Sequence, residues 1–138
     1  MIEALERDAD VRHDARAHSC GAITTELFAP HFLGARTEYM VAAGFDRDGR
    51  LIGFAEIAGN AERVVGILAV VRPLIGIPSV AAIVLAHNHV DCDSEPSIAD
   101  IQATRQVERL TRLANVRLID HLIFSPRSIV SMNQRGLV

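Results

Sequence analysis

From residue 38 onward, apolar and polar positions alternate in blocks that predict a definite order of elements. Tyr39–Phe45 and Leu51–Ala58 are apolar-rich runs joined by Asp46-Arg47-Asp48-Gly49. A leading Asp and a closing Gly suit a tight hairpin turn, so the two runs read as paired strands. Val64–Ile77 is long and apolar and predicts a helix. Pro73 is expected to break or restart that helix, because proline lacks the N–H and crowds the preceding turn. Val80–Ala86 is a short continuous apolar run, the mark of a strand buried on both faces. Ser97–Ala114 reads as an amphipathic helix with Ile98, Ile101, Val107, Leu110 and Ala114 near one face. Val116–Phe124 and Ser128–Met132 read as strands, with Pro126 in the turn between them. The pattern is that of an α/β fold, a mixed sheet flanked by helices.

Upstream the pattern is weaker. Residues 1–19 are charged and carry no clean apolar stripe, which suits an exposed helix or a partly ordered arm. Cys20–Arg36 has scattered apolar positions consistent with a helix or two short turns, punctuated by Pro30 and Gly34. The expected organisation is an N-terminal arm or helical extension over residues 1–37 and one domain over residues 38–138, and a chain of 138 residues has room for little more.

Charge narrows the function classes. With 14 basic against 17 acidic residues the net charge is −3, which argues against gripping nucleic acid by bulk electrostatics. All 14 basic residues are Arg, so covalent lysine chemistry and a Walker-type phosphate loop are excluded. Two cysteines, Cys20 and Cys92, make no disulfide framework, and there is no CxxC pair. With no signal peptide and no 18-residue apolar span, the expectation is a soluble cytoplasmic protein without membrane attachment.

The chemistry concentrates in residues 87–100. His87 and His89 follow directly on the buried run, and side chains two apart in an extended chain share a face. Two imidazoles at the open end of a central strand can grip one metal ion. Asp100, one turn into the following helix, can add a carboxylate. Two His and one carboxylate, with the fourth position left to water, make a hydrolytic zinc site. Ser97-x-x-Asp100 is at the same time a helix start, with Ser97 as N-cap and Asp100 at the positive end of the helix. His-x-His alone is a weak signal, and a hydrogen-bonded core histidine is the ordinary alternative.

His-x-His, seven residues, Ser, two residues, Asp resembles the metal-binding motif of JAB/MPN-domain (JAMM) metalloproteases. The stretches IVLAHNH, EPSIADI, RLIDHLI and VSMNQRGLV resemble the RadC branch of that family, over roughly Glu38 to Val138. The resemblance implies a cytidine-deaminase-like JAB/MPN fold and zinc (Zn2+) held by His87, His89 and Asp100. It implies Ser97 as the donor to the developing oxyanion, and an upstream Glu as the base that activates water. Glu38, just before the first strand, occupies that place; Glu56, within the second strand, is the runner-up. The implied activity is zinc-dependent hydrolysis of a peptide or isopeptide bond in a protein or peptide substrate. Two alternatives stand beside it: a non-catalytic interaction module on the same fold, and a nucleic-acid-associated repair factor, which the acidic balance disfavours.

RadC-type sequences usually follow the second His with Pro, Ser and Gly, where this chain has Val90, Asp91 and Cys92. Asp91, Asp93 and Glu95 bring negative charge close to the proposed metal, and Cys92 could approach it as a thiolate. Asp120-His121 resembles the family's DH pair. A core histidine, or an orienter of a zinc ligand, are the two readings of His121. His13, His18 and His31 are assigned no role. The apolar Val64–Ile77 segment could serve a homodimer face as readily as a core.

Overall fold

The structure is a computed structural model that describes residues 20–58 and 63–138. In chain order its elements are α1 (Cys20–Phe32), β1 (Tyr39–Phe45), β2 (Leu51–Ala58), α2 (Arg63–Ile75), β3 (Ala82–Asn88), α3 (Ile98–Leu113), β4 (Arg117–Phe124) and β5 (Ile129–Ser131). The five strands form one mixed sheet in the order β2-β1-β3-β4-β5. Only β3 and β4 run parallel, and α3 is the crossover between them. The charged stretch 1–19, with His13 and His18, lies outside the described residues. Among the described residues no helix is long and apolar enough to cross a membrane.

The β1–β2 hairpin forms as the tetrad requires. Asp46 Oδ1 accepts from the backbone N–H of Asp48 and of Arg50, each at 2.9 Å. Gly49 takes φ +80°, a left-handed conformation in which a side chain would be strained.

Alternation along the strands builds two cores. On one face Ala42, Ile83, Leu85 and Leu118 meet the α2 stripe Ile67, Val70, Val71 and Leu74, together with Ala103 and Val107 of α3. On the other, Val41, Ala43, Val84, Ala86 and Leu122 surround Phe28 of α1, which is completely buried. The segment upstream of residue 38 therefore contributes a helix that packs on the sheet.

Two expectations about the helices are corrected. The helix α2 runs through Pro73 to Ile75 instead of breaking there. Pro73 lies in the last turn, where a lost N–H costs at most one helical bond, and the Ile67–Leu74 stripe buried on the sheet holds the turn in place. Of the two alternatives for Cys20–Arg36 the helix is the one that forms, as α1, with Pro30 inside its last turn. On α3 the buried stripe is Asp100, Ala103, Thr104, Val107 and Thr111, so Ile98 is 76% exposed and Ala114 is outside. The cap sets that phase: turning Asp100 inward sends Ile98, two positions earlier, to the far side of the helix.

The central strand also begins two residues later than the apolar run and ends two residues later, at Asn88. Its neighbours decide the matter. Antiparallel pairing with β1 extends to Met40 opposite His87, and parallel pairing with β4 extends to Asn88 opposite Phe124. His87 is therefore a strand residue, rigidly flanked on both sides, and His89 is the first residue beyond.

Candidate metal centre

Residues from both ends of the β3–α3–β4 crossover converge at the carboxyl end of β3. His87 comes from the strand and His89 from the turn that follows it. Asp100 comes from the first turn of α3, where a capping box aims it. Ser97 Oγ accepts from the Asp100 N–H at 3.0 Å while Asp100 Oδ2 accepts from the Ser97 N–H at 2.8 Å. This reciprocal pair satisfies two helix-end N–H groups and fixes the direction of the carboxylate. His87 Nε2 is 3.3 Å from Asp100 Oδ1, His89 Nε2 is 3.3 Å from Asp100 Oδ2, and the two Nε2 atoms are 3.0 Å apart.

The hydrogen bonds around this cluster dictate where the protons are. Thr104 Oγ1 is 2.6 Å from the Asp100 carbonyl, an acceptor only, so the Thr104 hydroxyl donates there. It then accepts from His121 Nδ1–H at 2.6 Å, which leaves His121 Nε2 to accept from His87 Nδ1–H at 2.7 Å. His89 Nδ1, 2.7 Å from the Asp93 carbonyl, must also donate. Both neutral imidazoles thereby turn the lone pair of Nε2 toward the Asp100 carboxylate. Three electron-rich groups facing one another, with His87 and Asp100 almost fully buried, require a positive charge between them. A proton on one imidazole can supply it, and so can a metal cation; the nitrogen, nitrogen and oxygen donors fit such an ion. Among the described residues these three form a group whose ligand atoms all lie within 4.8 Å of one another.

Asp100 shows the same balance. Burial alone would push its carboxyl up, yet a proton on His87, through its hydrogen bond and charge, together with the N–H and hydroxyl of Ser97, holds it far below the usual carboxylate range.

His121 answers both readings made of it. It is fully buried and hydrogen-bonded, and it is also the group that orients His87. Thr104, to which the sequence drew no attention, anchors that chain; its signal was a hydroxyl on the buried stripe of α3, one turn past Asp100. If the cluster holds a metal ion, removing the imidazole with His121→Ala is expected to weaken its binding about 10–100-fold, the usual cost of losing a partner that orients a metal-bound histidine. Calorimetric titration with zinc checks this, and unchanged affinity would dismiss the orienting role. Asp120 serves the fold instead: its carboxylate accepts from the Ser131 hydroxyl at 2.6 Å and the Asn133 N–H at 2.9 Å, pinning the chain after β5.

The loop between the ligands is shaped by its acids. Asp91 Oδ1 accepts from the Asp93 N–H at 3.2 Å and Asp93 Oδ1 from the Glu95 N–H at 2.9 Å, successive turns closed by side chains. Arg135 forks onto Glu95 at 2.6 and 2.8 Å, a contact that lowers the Glu95 pKa. Two of the three loop carboxylates thus engage backbone N–H groups and the third a guanidinium. Cys92 is exposed and does not belong to the His87–His89–Asp100 group.

The remaining candidates separate by face. Met40 stands opposite His87, so alternation puts Glu38, two residues earlier, on the His87 face of the sheet. Glu56 pairs with Val41 and so belongs to the other face, where it is half exposed and 3.4 Å from His31 Nδ1. Being half exposed, the Glu56 carboxylate stays solvated and carries little desolvation cost in this strand. Ser97, outside the cluster proper, is exposed at the helix N-terminus, its hydroxyl oxygen accepting from the Asp100 N–H.

The family profile of the RadC-like JAB domain matches residues 19–137. The chain belongs to the RadC-like JAB domain family. The match includes α1, in keeping with the burial of Phe28. A UPF0758 protein of Stenotrophomonas maltophilia (strain K279a) is 30% identical over 133 residues, covering 94% of this chain and 56% of that protein. UPF0758 proteins of Marinomonas sp. (strain MWYL1) and Bordetella petrii are 47% and 43% identical over 58 residues, 42% of this chain and 26% of each relative. This RadC-like JAB domain thus spans between about a quarter and just over half the length of these relatives. Its mixed five-stranded sheet flanked by helices is the fold expected for the family, and its His-His-Asp cluster is suited to a metal ion.

Proposed function

We propose that this RadC-like JAB domain is a zinc-dependent hydrolase of amide bonds, of the peptidase or isopeptidase type. One observation carries the reading: the Thr104–His121–His87 and Asp93–His89 hydrogen bonds turn two imidazole lone pairs onto a buried carboxylate. His87, His89 and Asp100 would hold the ion through two nitrogens and one oxygen, the donor set of catalytic rather than closed structural sites. When bound, the cation polarises the scissile carbonyl and acidifies a water molecule beside it.

The chain's own residues supply the rest. Glu38, on the His87 face of the sheet, takes a proton from the attacking water and passes it to the leaving amine nitrogen as the carbon–nitrogen bond breaks. The Ser97 hydroxyl, capped from behind by the Asp100 N–H, donates to the carbonyl oxygen as negative charge develops there. A peptide or isopeptide in a protein partner is the substrate class this chemistry fits.

The test is metal content by mass spectrometry on protein purified without chelator, followed by peptide and isopeptide hydrolysis screens on the zinc-loaded form. About one zinc per chain, with hydrolysis abolished by chelation and restored by zinc, is the expected result. No metal retained after zinc is offered at neutral pH would overturn the hydrolase reading in favour of an interaction module.

A further inference from the structure

The residue between the two histidines belongs to neither core. Asn88 ends β3 and is 95% buried, since its exposure is 5%. By alternation its side chain belongs to the face opposite His87. Its backbone would be the next partner of β1, but the β1–β3 ladder stops at Met40 opposite His87, because the chain turns away at His89, whose N–H bonds instead to the Phe124 carbonyl at 2.7 Å. The Asn88 side chain takes over the pairing. Its Oδ1 accepts from the Tyr39 N–H at 2.6 Å and its Nδ2 donates to the Thr37 carbonyl at 3.0 Å. The Thr37 carbonyl accepts and the Tyr39 N–H donates, so the orientation of the amide is fixed.

Those two backbone groups belong to the peptide units immediately before and after one residue, Glu38. Holding both planes sets φ and ψ at its α-carbon and hence the direction of its Cβ. We infer that Asn88 is the positioning residue for Glu38, its side-chain amide standing in for the absent strand partner and aiming the carboxylate toward the metal centre. One residue thus ties the proposed base to the strand that bears His87. The inference rests on the reading of Glu38 as the base, and adds to it a residue that contacts neither water nor substrate. Such coupling suits the chemistry, because a misplacement of about 1 Å in a reacting group can cost about 100-fold in rate.

The experiment needs no substrate. Protein labelled with 13C at glutamate side chains is titrated with zinc alone, and the Glu38 carboxylate signal is identified by its disappearance in Glu38→Gln. In the wild type that signal is expected to shift on zinc loading. In Asn88→Ala the shift should fall to less than half, with zinc affinity within about threefold of wild type and amide exchange at Tyr39 accelerated at least tenfold, as befits a lost hydrogen bond. Asn88→Asp, which keeps the acceptor for Tyr39 but loses the donor to Thr37, should lie between and covers the case in which the alanine variant does not fold. A full zinc-induced shift in both variants would overturn the inference, as would loss of zinc binding, which would make Asn88 a support for the ligands instead. A wild-type Glu38 signal indifferent to bound zinc would sink the reading of Glu38 itself, a result distinct from the other two.

Discussion

Asp100→Asn is expected to abolish zinc retention while leaving the metal-free chain folded. The carboxylate is the one negative donor in the cluster, and losing it should weaken zinc by more than the roughly 100-fold that follows from losing an orienting partner alone. The fold should survive because the amide meets both local demands. Its oxygen can accept from the Ser97 N–H, now 2.8 Å from Asp100 Oδ2, and its NH2 can donate to an imidazole Nε2. Thermal unfolding of the metal-free variant should therefore stay within a few degrees of wild type at neutral pH. Asp100→Ala should cost about 0.5–2 kcal/mol instead, since the Ser97 N–H loses its acceptor in the capping box. Acid separates them further. The Asp100 pKa is lowered in the folded state, so its contribution is present above the ordinary aspartate value of 3.8 and fades as pH falls below it. The asparagine variant has no such titration and should lose less stability over that range. Zinc bound by Asp100→Asn at wild-type affinity would refute the proposed ligand set.

Glu38→Gln carries the second large effect. With any amide substrate that the wild type cleaves, kcat should fall by about 10²–10⁴, the range that a positioned general base commands. Zinc content should remain near one per chain, because Glu38 is outside the group formed by His87, His89 and Asp100. Glu56→Gln is the matched control: Glu56 lies on the opposite sheet face beside His31 and should leave both rate and metal unchanged. A rate kept by Glu38→Gln and lost in Glu56→Gln would reverse the assignment.

What could be read in advance was what depends on near neighbours. The Asp46–Gly49 hairpin, the Ser97-x-x-Asp100 helix start and the shared face of His87 and His89 each follow from geometry within a few residues. Legibility failed where a distant segment decides. Pro73 could be crossed only because the sheet buries the stripe on either side of it. The strand β3 gained His87 because β1 and β4 pair with it, and Asn88 because β4 does. Asn88 finds its partners 49 and 51 residues away, and Thr104 meets His121 17 residues on, so no local pattern marks either. Ile98 was assigned to the wrong side of its helix because apolarity was allowed to set the phase that the buried Asp100 sets in fact.

The parallel pairing of β3 with β4 gives the centre a place in time as well as in space. Every donor to the cation lies between residues 87 and 100, yet the imidazole that dictates the proton on His87 arrives only with β4. A growing chain that has reached α3 already carries all three donors, but His87 can then expose either nitrogen. Once His121 swings in beneath it, one nitrogen is committed to the protein and the other to the cation. The affinity of the three donors for a cation should therefore rise as the crossover closes, and a chain truncated before β4 should hold one less tightly. If a cation is bound here, molecules whose sheet is complete should hold it best.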